Sequence, residues 1–144
     1  MKRKNFHVAI NVNTSAEEAF KKIKQVNKWW AKKVTGKCEK LNDKFLVDFG
    51  TTWVDFQITE LLPSKKVVWR VTDCNLEWIK NKKEWNGTDV VFEIFEKENK
   101  IEIGFTHLGL IPSLECYEDC KAGWTEHVTE SLIKFINEGK GMPT

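Results

Sequence analysis

The sequence predicts an α+β domain in which a curved antiparallel sheet wraps around one long C-terminal helix. Two observations carry that prediction. From Lys37 to His107, apolar residues alternate with polar ones in run after run, the pattern of strands buried on one face only. Beyond Pro112 the period changes: Tyr117, Cys120, Trp124, Val128, Leu132 and Phe135 recur at intervals of three and four, the stripe of an amphipathic helix. At 144 residues, the whole span 1–144 is expected to form a single domain around one sizeable core.

FHVAINV, residues 6–12, sets Phe6, Val8, Ile10 and Val12 on one face of a first strand and turns His7 outward. NTSAEEAFKKIKQV then opens a helix. Thr14 or Ser15 supplies the capping oxygen, and Glu17 and Glu18 meet the positive end of the helix dipole. Ala16, Ala19, Phe20 and Ile23 form its apolar stripe. A break is expected near Asn27, with NKWWAKK as a second short helix or a turn. Four strands follow, with inward sets Phe45/Val47/Phe49, Val54/Phe56/Ile58, Val67/Trp69/Val71 and Val90/Phe92/Ile94. Asp55, Gln57, Arg70 and Glu93 occupy the opposite parity. Breaks fall at Gly50, at Pro63-Ser64, across Asn81 to Gly87, and at Glu98-Asn99, the last suited to a hairpin. A final strand places Ile101, Ile103, Phe105 and His107 inward. The closing helix is expected from about Leu114 to Glu138, roughly 35 Å long, with Gly139 as its stop.

Composition excludes several classes. A net charge of +2 leaves no electrostatic footprint for nucleic acid. The basic start MKRK runs straight into a strand pattern, so no signal peptide is read, and no apolar run reaches the length of a membrane span. A cytoplasmic protein with reduced thiols at Cys38, Cys74, Cys116 and Cys120 is therefore expected. Cys116 and Cys120 share a helical face, yet no second ligand pair accompanies them, so they read as buried thiols and no metal or cofactor is expected. Seven Trp and nine Phe are the informative excess, meaning a heavy aromatic core or a lined pocket.

The opening strand followed by TSAEEAF and WW, the segment WNGTDVVFEI, the strand IEIGFTHLGL, and CKAGW leading to EGKGMP together resemble a known family. It is the C-terminal-domain family of the activator of heat-shock-protein-90 ATPase, within the START and birch-pollen-allergen-like (SRPBCC) superfamily. The resemblance runs in order along essentially the whole chain. It implies a helix-grip fold with a cavity between sheet and C-terminal helix, and the loop from Asn75 to Asn86 reads as this protein's own variation near the cavity mouth. The superfamily includes lipid and hormone binders, cyclases and co-chaperone domains, so fold alone does not choose among them.

His107 poses the sharpest question, because an imidazole on a buried face needs a partner. It reads first as a structural histidine bonded to backbone or water, next as a ligand contact, and last as a catalytic base. Of Trp29-Trp30, one ring is expected to plug the gap between the short helices and the sheet, the other to cover an edge. The candidate cavity wall is Trp30, Phe49, Phe56, Trp69, Phe92, Phe105, His107, Trp124 and Val128. Lys80, Lys82 and Lys83 read as a solvated loop. Ser15, Ser64, Ser113 and Ser131 lack a paired base, and no carboxylate falls on the inward parity of the strands. Three readings follow: a domain binding a hydrophobic or amphipathic small molecule, a stress-related co-chaperone or interaction module with a chaperone partner, and a cyclase or hydrolase acting on a hydrophobic substrate.

Overall fold

The computed structural model describes residues 4–144; the basic start Met1–Arg3 lies outside the described residues. The chain runs β1 (Phe6–Val12), α1 (Ala16–Ile23), α2 (Val26–Trp29), β2 (Val34–Gly36), β3 (Lys44–Asp48), β4 (Trp53–Leu62), β5 (Lys66–Asn75), β6 (Asp89–Lys97) and β7 (Lys100–Leu108). The C-terminal helix follows as α3 (Tyr117–Glu126), a π-helical segment (His127–Leu132) and α4 (Ile133–Glu138). This is the helix-grip arrangement: a seven-stranded antiparallel sheet, order β1-β7-β6-β5-β4-β3-β2, curved around that helix.

Local chemistry sets the joints. Ser15 caps α1 through its side-chain oxygen, which accepts the Glu18 amide at 3.1 Å. The helix ends at Ile23, earlier than the expected break, and Trp29 of α2 donates its indole N–H to the Ile23 carbonyl at 3.0 Å. The short edge strand β2 falls where the sequence offered only one apolar side chain, Val34, too little to declare an alternation. Glu98 and Asn99 both take positive φ between the paired Lys97 and Lys100, the backbone of a tight two-residue hairpin. Register shifts at Asp55/Phe56 and Ile58/Glu60 interrupt the β4–β5 ladder. Such irregularities bend strands, and here they help the sheet to curve.

The C-terminal stripe explains the π-helical segment. Each residue of an α-helix turns about 100°, so successive four-residue steps drift about 40° off a common face. Cys120, Trp124, Val128 and Leu132 take three such steps in a row. The wider i→i+5 turn over His127–Leu132 absorbs the drift, and Val128, Leu132 and Phe135 all stay buried. Gly139 stops the helix in the left-handed region at φ 82°.

Candidate functional site

His107 lies on β7 opposite Phe6 of β1 and Val90 of β6, on the concave face with Ile103 and Phe105. It is completely buried. An indole nitrogen can only donate, so the bond from Trp124 Nε1 to His107 Nδ1 at 3.0 Å makes Nδ1 an acceptor. The proton of the neutral ring then sits on Nε2, which donates to Thr88 Oγ1 at 2.8 Å. Thr88 in turn donates to the carbonyl of Trp85 at 2.6 Å. The relay therefore runs from helix to strand to loop with every polar atom used. Burial holds the imidazole neutral, pushing its pKa down to about 3 from the ordinary 6.5. Trp85 closes the arrangement by meeting the His107 ring edge-on, 4.6 Å between centroids.

Behind this relay the concave face is filled with rings. Trp69, Phe56, Phe92 and Phe105 are wholly enclosed, and they contact one another or Trp30 and Trp124 at centroid distances of 4.6–5.7 Å. The Trp69 indole nitrogen finds no hydrogen-bond partner among the described residues. Val128 is also fully buried. Trp30 is the link outward: it lies parallel to Trp69, touches Trp124 at 4.6 Å, and reaches the half-exposed Phe49 at 6.0 Å.

Beyond Trp30 and Trp124 the packing opens into a cleft of about 330 Å³. Trp30, at the end of α2, forms one wall, and three further segments complete it. The end of β3 and the start of β4 bring Phe49, Thr52 and Val54; the β5–β6 connection brings Leu76, Trp78 and Trp85; the C-terminal helix brings Asp119, Cys120, Gly123, Trp124 and His127. Trp78 stands half exposed at the mouth and donates its indole N–H to Asp119 Oδ2 at 3.0 Å. Gly123 widens the cleft, since a Cβ built there meets nothing within 4 Å. Hydrogen bonding with Cys116, then burial, push the Cys120 thiol up, so it faces the cleft as a neutral S–H. A second groove of about 550 Å³ lies on the outer surface along β6, lined by Phe95, Leu62 and a set of lysines and glutamates. Its one aromatic residue is the exposed Phe95.

The loop carrying Trp78 and Trp85 is bracketed to the helix from both sides. Glu84 accepts the backbone amides of Glu115 and Cys116 at 2.9 and 3.0 Å, serving as the acceptor that the helix start lacks in its own side chains. Glu115 in return accepts the amides of Lys80 and Asn81, at 3.0 and 3.2 Å. Those bonds hold the Glu115 carboxyl below its ordinary pKa.

Of the residues singled out in the sequence, Trp30, Phe49 and Trp124 line the cleft. Phe56, Trp69, Phe92, Phe105 and Val128 lie in the filled interior, and His107 sits behind Trp124 with both nitrogens engaged. Trp78, Trp85, Asp119 and His127 were not anticipated as wall residues. The available signal was the concentration of two tryptophans within the one long interruption of the strand pattern.

No protein-family model matches the chain, and neither does any curated protein. Among solved structures it is similar to the Aha1 dimer from Colwellia psychrerythraea, at 24% identity and a TM-score of 0.78, over 96% of this chain and 99% of that one. CalU16 from Micromonospora echinospora follows at 12% identity and a TM-score of 0.71, over 97% of this chain and 78% of that one. DynU16 of the dynemicin biosynthetic locus matches at 15% identity and a TM-score of 0.73; the chain covers 48% of its length. At such identities the likeness is one of architecture, and the chain shares the helix-grip fold of these proteins.

Proposed function

We propose that this chain is a single-domain, cytoplasmic small-molecule-binding protein whose occupant is a hydrophobic or amphipathic molecule. The supporting observation is the cleft bounded by Trp30, Trp78, Trp85 and Trp124, about 330 Å³ of open space beside an otherwise filled aromatic interior. That volume falls at the lower end of ligand-sized sites, and apolar walls with few polar groups are what such sites use. His107, the base candidate of the sequence, sits behind Trp124 with no free nitrogen to offer a substrate, which favours binding over proton transfer by that residue.

The test exploits Gly123. A leucine there projects into open space rather than into protein, so Gly123→Leu should fill the cleft and leave the fold intact. Binding of an environment-sensitive apolar dye is expected to weaken at least about tenfold, the loss of roughly 1.4 kcal/mol of contact. Undiminished dye affinity in the folded variant would reject the cleft as the binding site. Native mass spectrometry of freshly purified protein should reveal a bound small molecule.

A second reading, a co-chaperone or interaction module of the heat-shock-protein-90 activator type, draws support from the end-to-end likeness to the Aha1 chain. It predicts capture of a chaperone partner that survives Gly123→Leu, because a protein surface does not need the cleft empty.

A further inference from the structure

We infer that the cleft selects a cationic amphiphile, an organic ammonium, over neutral or anionic molecules of the same chain length. The inference rests on the small-molecule-binding reading and adds the charge of the ligand.

The protein as a whole would repel such a ligand weakly, with 23 basic residues against 21 acidic ones. The cleft differs from that average. Its lining holds no lysine and no arginine, and its one carboxylate is Asp119. Two lysines of the neighbouring loop are turned to other partners. Lys82 donates to the carbonyls of Glu77 and Ile79, and Lys83 pairs with Asp73 at 3.0 Å.

The rings supply the second half of the argument. The face of an aromatic ring is electronegative and its edge electropositive, so several faces around one space attract a cation, most strongly when they are tryptophans. Here Trp30 is inclined at 40° to Trp124 and at 59° to Phe49, while Trp85 lies within 10° of parallel to Trp124. Rings inclined in this way do not all lie in one plane around the space, and the open surface among them is that of Trp78 and Phe49 at the mouth.

An anion finds no charged donor in the lining and no indole N–H to spare. The indole N–H of Trp78 is given to Asp119, that of Trp85 to Cys116 Sγ, and that of Trp124 to His107. Thr52 Oγ1 accepts the Glu77 amide at 3.3 Å, which leaves one neutral hydroxyl O–H as a donor. His127 donates from Nδ1 to the Gly123 carbonyl at 2.8 Å, and its Nε2 lies 3.2 Å from Thr144 Oγ1. What remains for a charged head group is π surface, one neutral hydroxyl at Thr52 and the Asp119 carboxylate at the mouth.

The experiment titrates the protein's tryptophan fluorescence with three ten-carbon amphiphiles below their micelle thresholds: decyltrimethylammonium, decyl glucoside and decyl sulfate. The ammonium is expected to bind about three- to tenfold more tightly than the glucoside, with the sulfate weakest. Added salt should weaken the ammonium preferentially. D119N keeps an acceptor for Trp78 and removes the charge. It should lower ammonium affinity about two- to fivefold beyond any change in the glucoside. Glucoside or sulfate binding as tightly as the ammonium, or D119N moving all three alike, would overturn the inference while leaving a binding cleft. If none of the three binds and the apolar dye does not bind either, the binding reading itself falls and the inference falls with it.

Discussion

Trp124 donates its indole N–H to Nδ1 of His107 at 3.0 Å, with the two rings 2% and 0% exposed. A helix and a strand are thereby tied at a point water does not reach. A neutral hydrogen bond is worth only about 1 kcal/mol net, but a buried polar atom left without one costs about 1–3 kcal/mol. The pairing therefore matters more for what happens when it is broken than for what it adds.

The first prediction concerns protonation. Burial lowers the folded-state pKa of His107 to about 3 from the ordinary 6.5. A group lowered in this way contributes stability that is fully present above pH 6.5 and is lost as pH falls from there toward 3. The slope contributed by one such histidine is at most about 1.4 kcal/mol per pH unit. Its imidazole C–H resonances should stay fixed from pH 8 to pH 4, and the loss of stability below pH 6.5 should be shallower in His107→Gln. A titration midpoint near 6.5 would contradict the enclosed, neutral ring.

Trp124→Phe isolates the bond from the packing. A phenyl ring retains most of the contact with Phe105 but leaves His107 Nδ1 without its donor. Denaturant unfolding should show a loss of about 1–3 kcal/mol. Trp124→Ala, which also opens a void, should lose about 3–5 kcal/mol. A Trp124→Phe variant as stable as the parent would mean the hydrogen bond carries little, and equal losses in the two variants would mean the void adds nothing to it.

Gly109 guards the same relay from the strand end. It sits at φ 105°, and a Cβ there would come within 2.6 Å of Thr88 Cγ2. Its amide also donates to Asn5 Oδ1 at 2.9 Å. Gly109→Ala is thus strained in its backbone and displaces the hydroxyl that receives the His107 proton. A loss of about 1–3 kcal/mol is expected. An unchanged melting temperature would show that Thr88 can yield without cost.

Strand parity made His107 inward, and it made Phe56, Trp69, Phe92 and Phe105 inward as well. Parity alone does not say whether inward means core or cavity, because both lie on the same side of a sheet. That distinction depends on how many rings crowd one place, and the crowding comes from residues far apart in sequence, such as Trp30 against Trp69 and Trp124. The partners of His107 were hidden for the same reason: Thr88 and Trp124 are 19 and 17 positions away. The cap at Ser15 and the stop at Gly139 were legible because their causes are local. Trp78 and Trp85 fell in a segment without periodicity, where the only signal was two tryptophans in one connection and no parity said which way either ring turns.

The bracket between loop and helix should be sensitive to acid. Amides of Lys80 and Asn81 stabilise the charged form of Glu115. A carboxylate lowered in this way contributes fully above its ordinary pKa of 4.5, and the contribution is lost as pH falls below that value. Amide hydrogen exchange at Lys80 and Asn81 should quicken in Glu115→Gln at neutral pH, with the global unfolding midpoint little changed. Exchange as slow as in the parent protein would show that the loop holds itself without Glu115.

Gly123 yields the last prediction. A glycine in the interior of a helix costs about 0.5–1 kcal/mol relative to alanine, through the freedom it loses on folding. The space around it would accept the missing methyl, because beyond its own helix backbone and chain neighbours nothing lies within 4 Å of a Cβ built there. Gly123→Ala should therefore raise stability by that amount, or about 2–4 °C in melting temperature. The same methyl intrudes on the cleft beside Trp124, so affinity for an apolar dye should fall slightly with alanine and steeply with leucine. Opposite trends in stability and binding along Gly, Ala and Leu would mark the glycine as the residue that keeps the cleft open at the expense of the helix. If alanine stabilises and even leucine leaves dye binding intact, the space beside Gly123 is not where the dye sits.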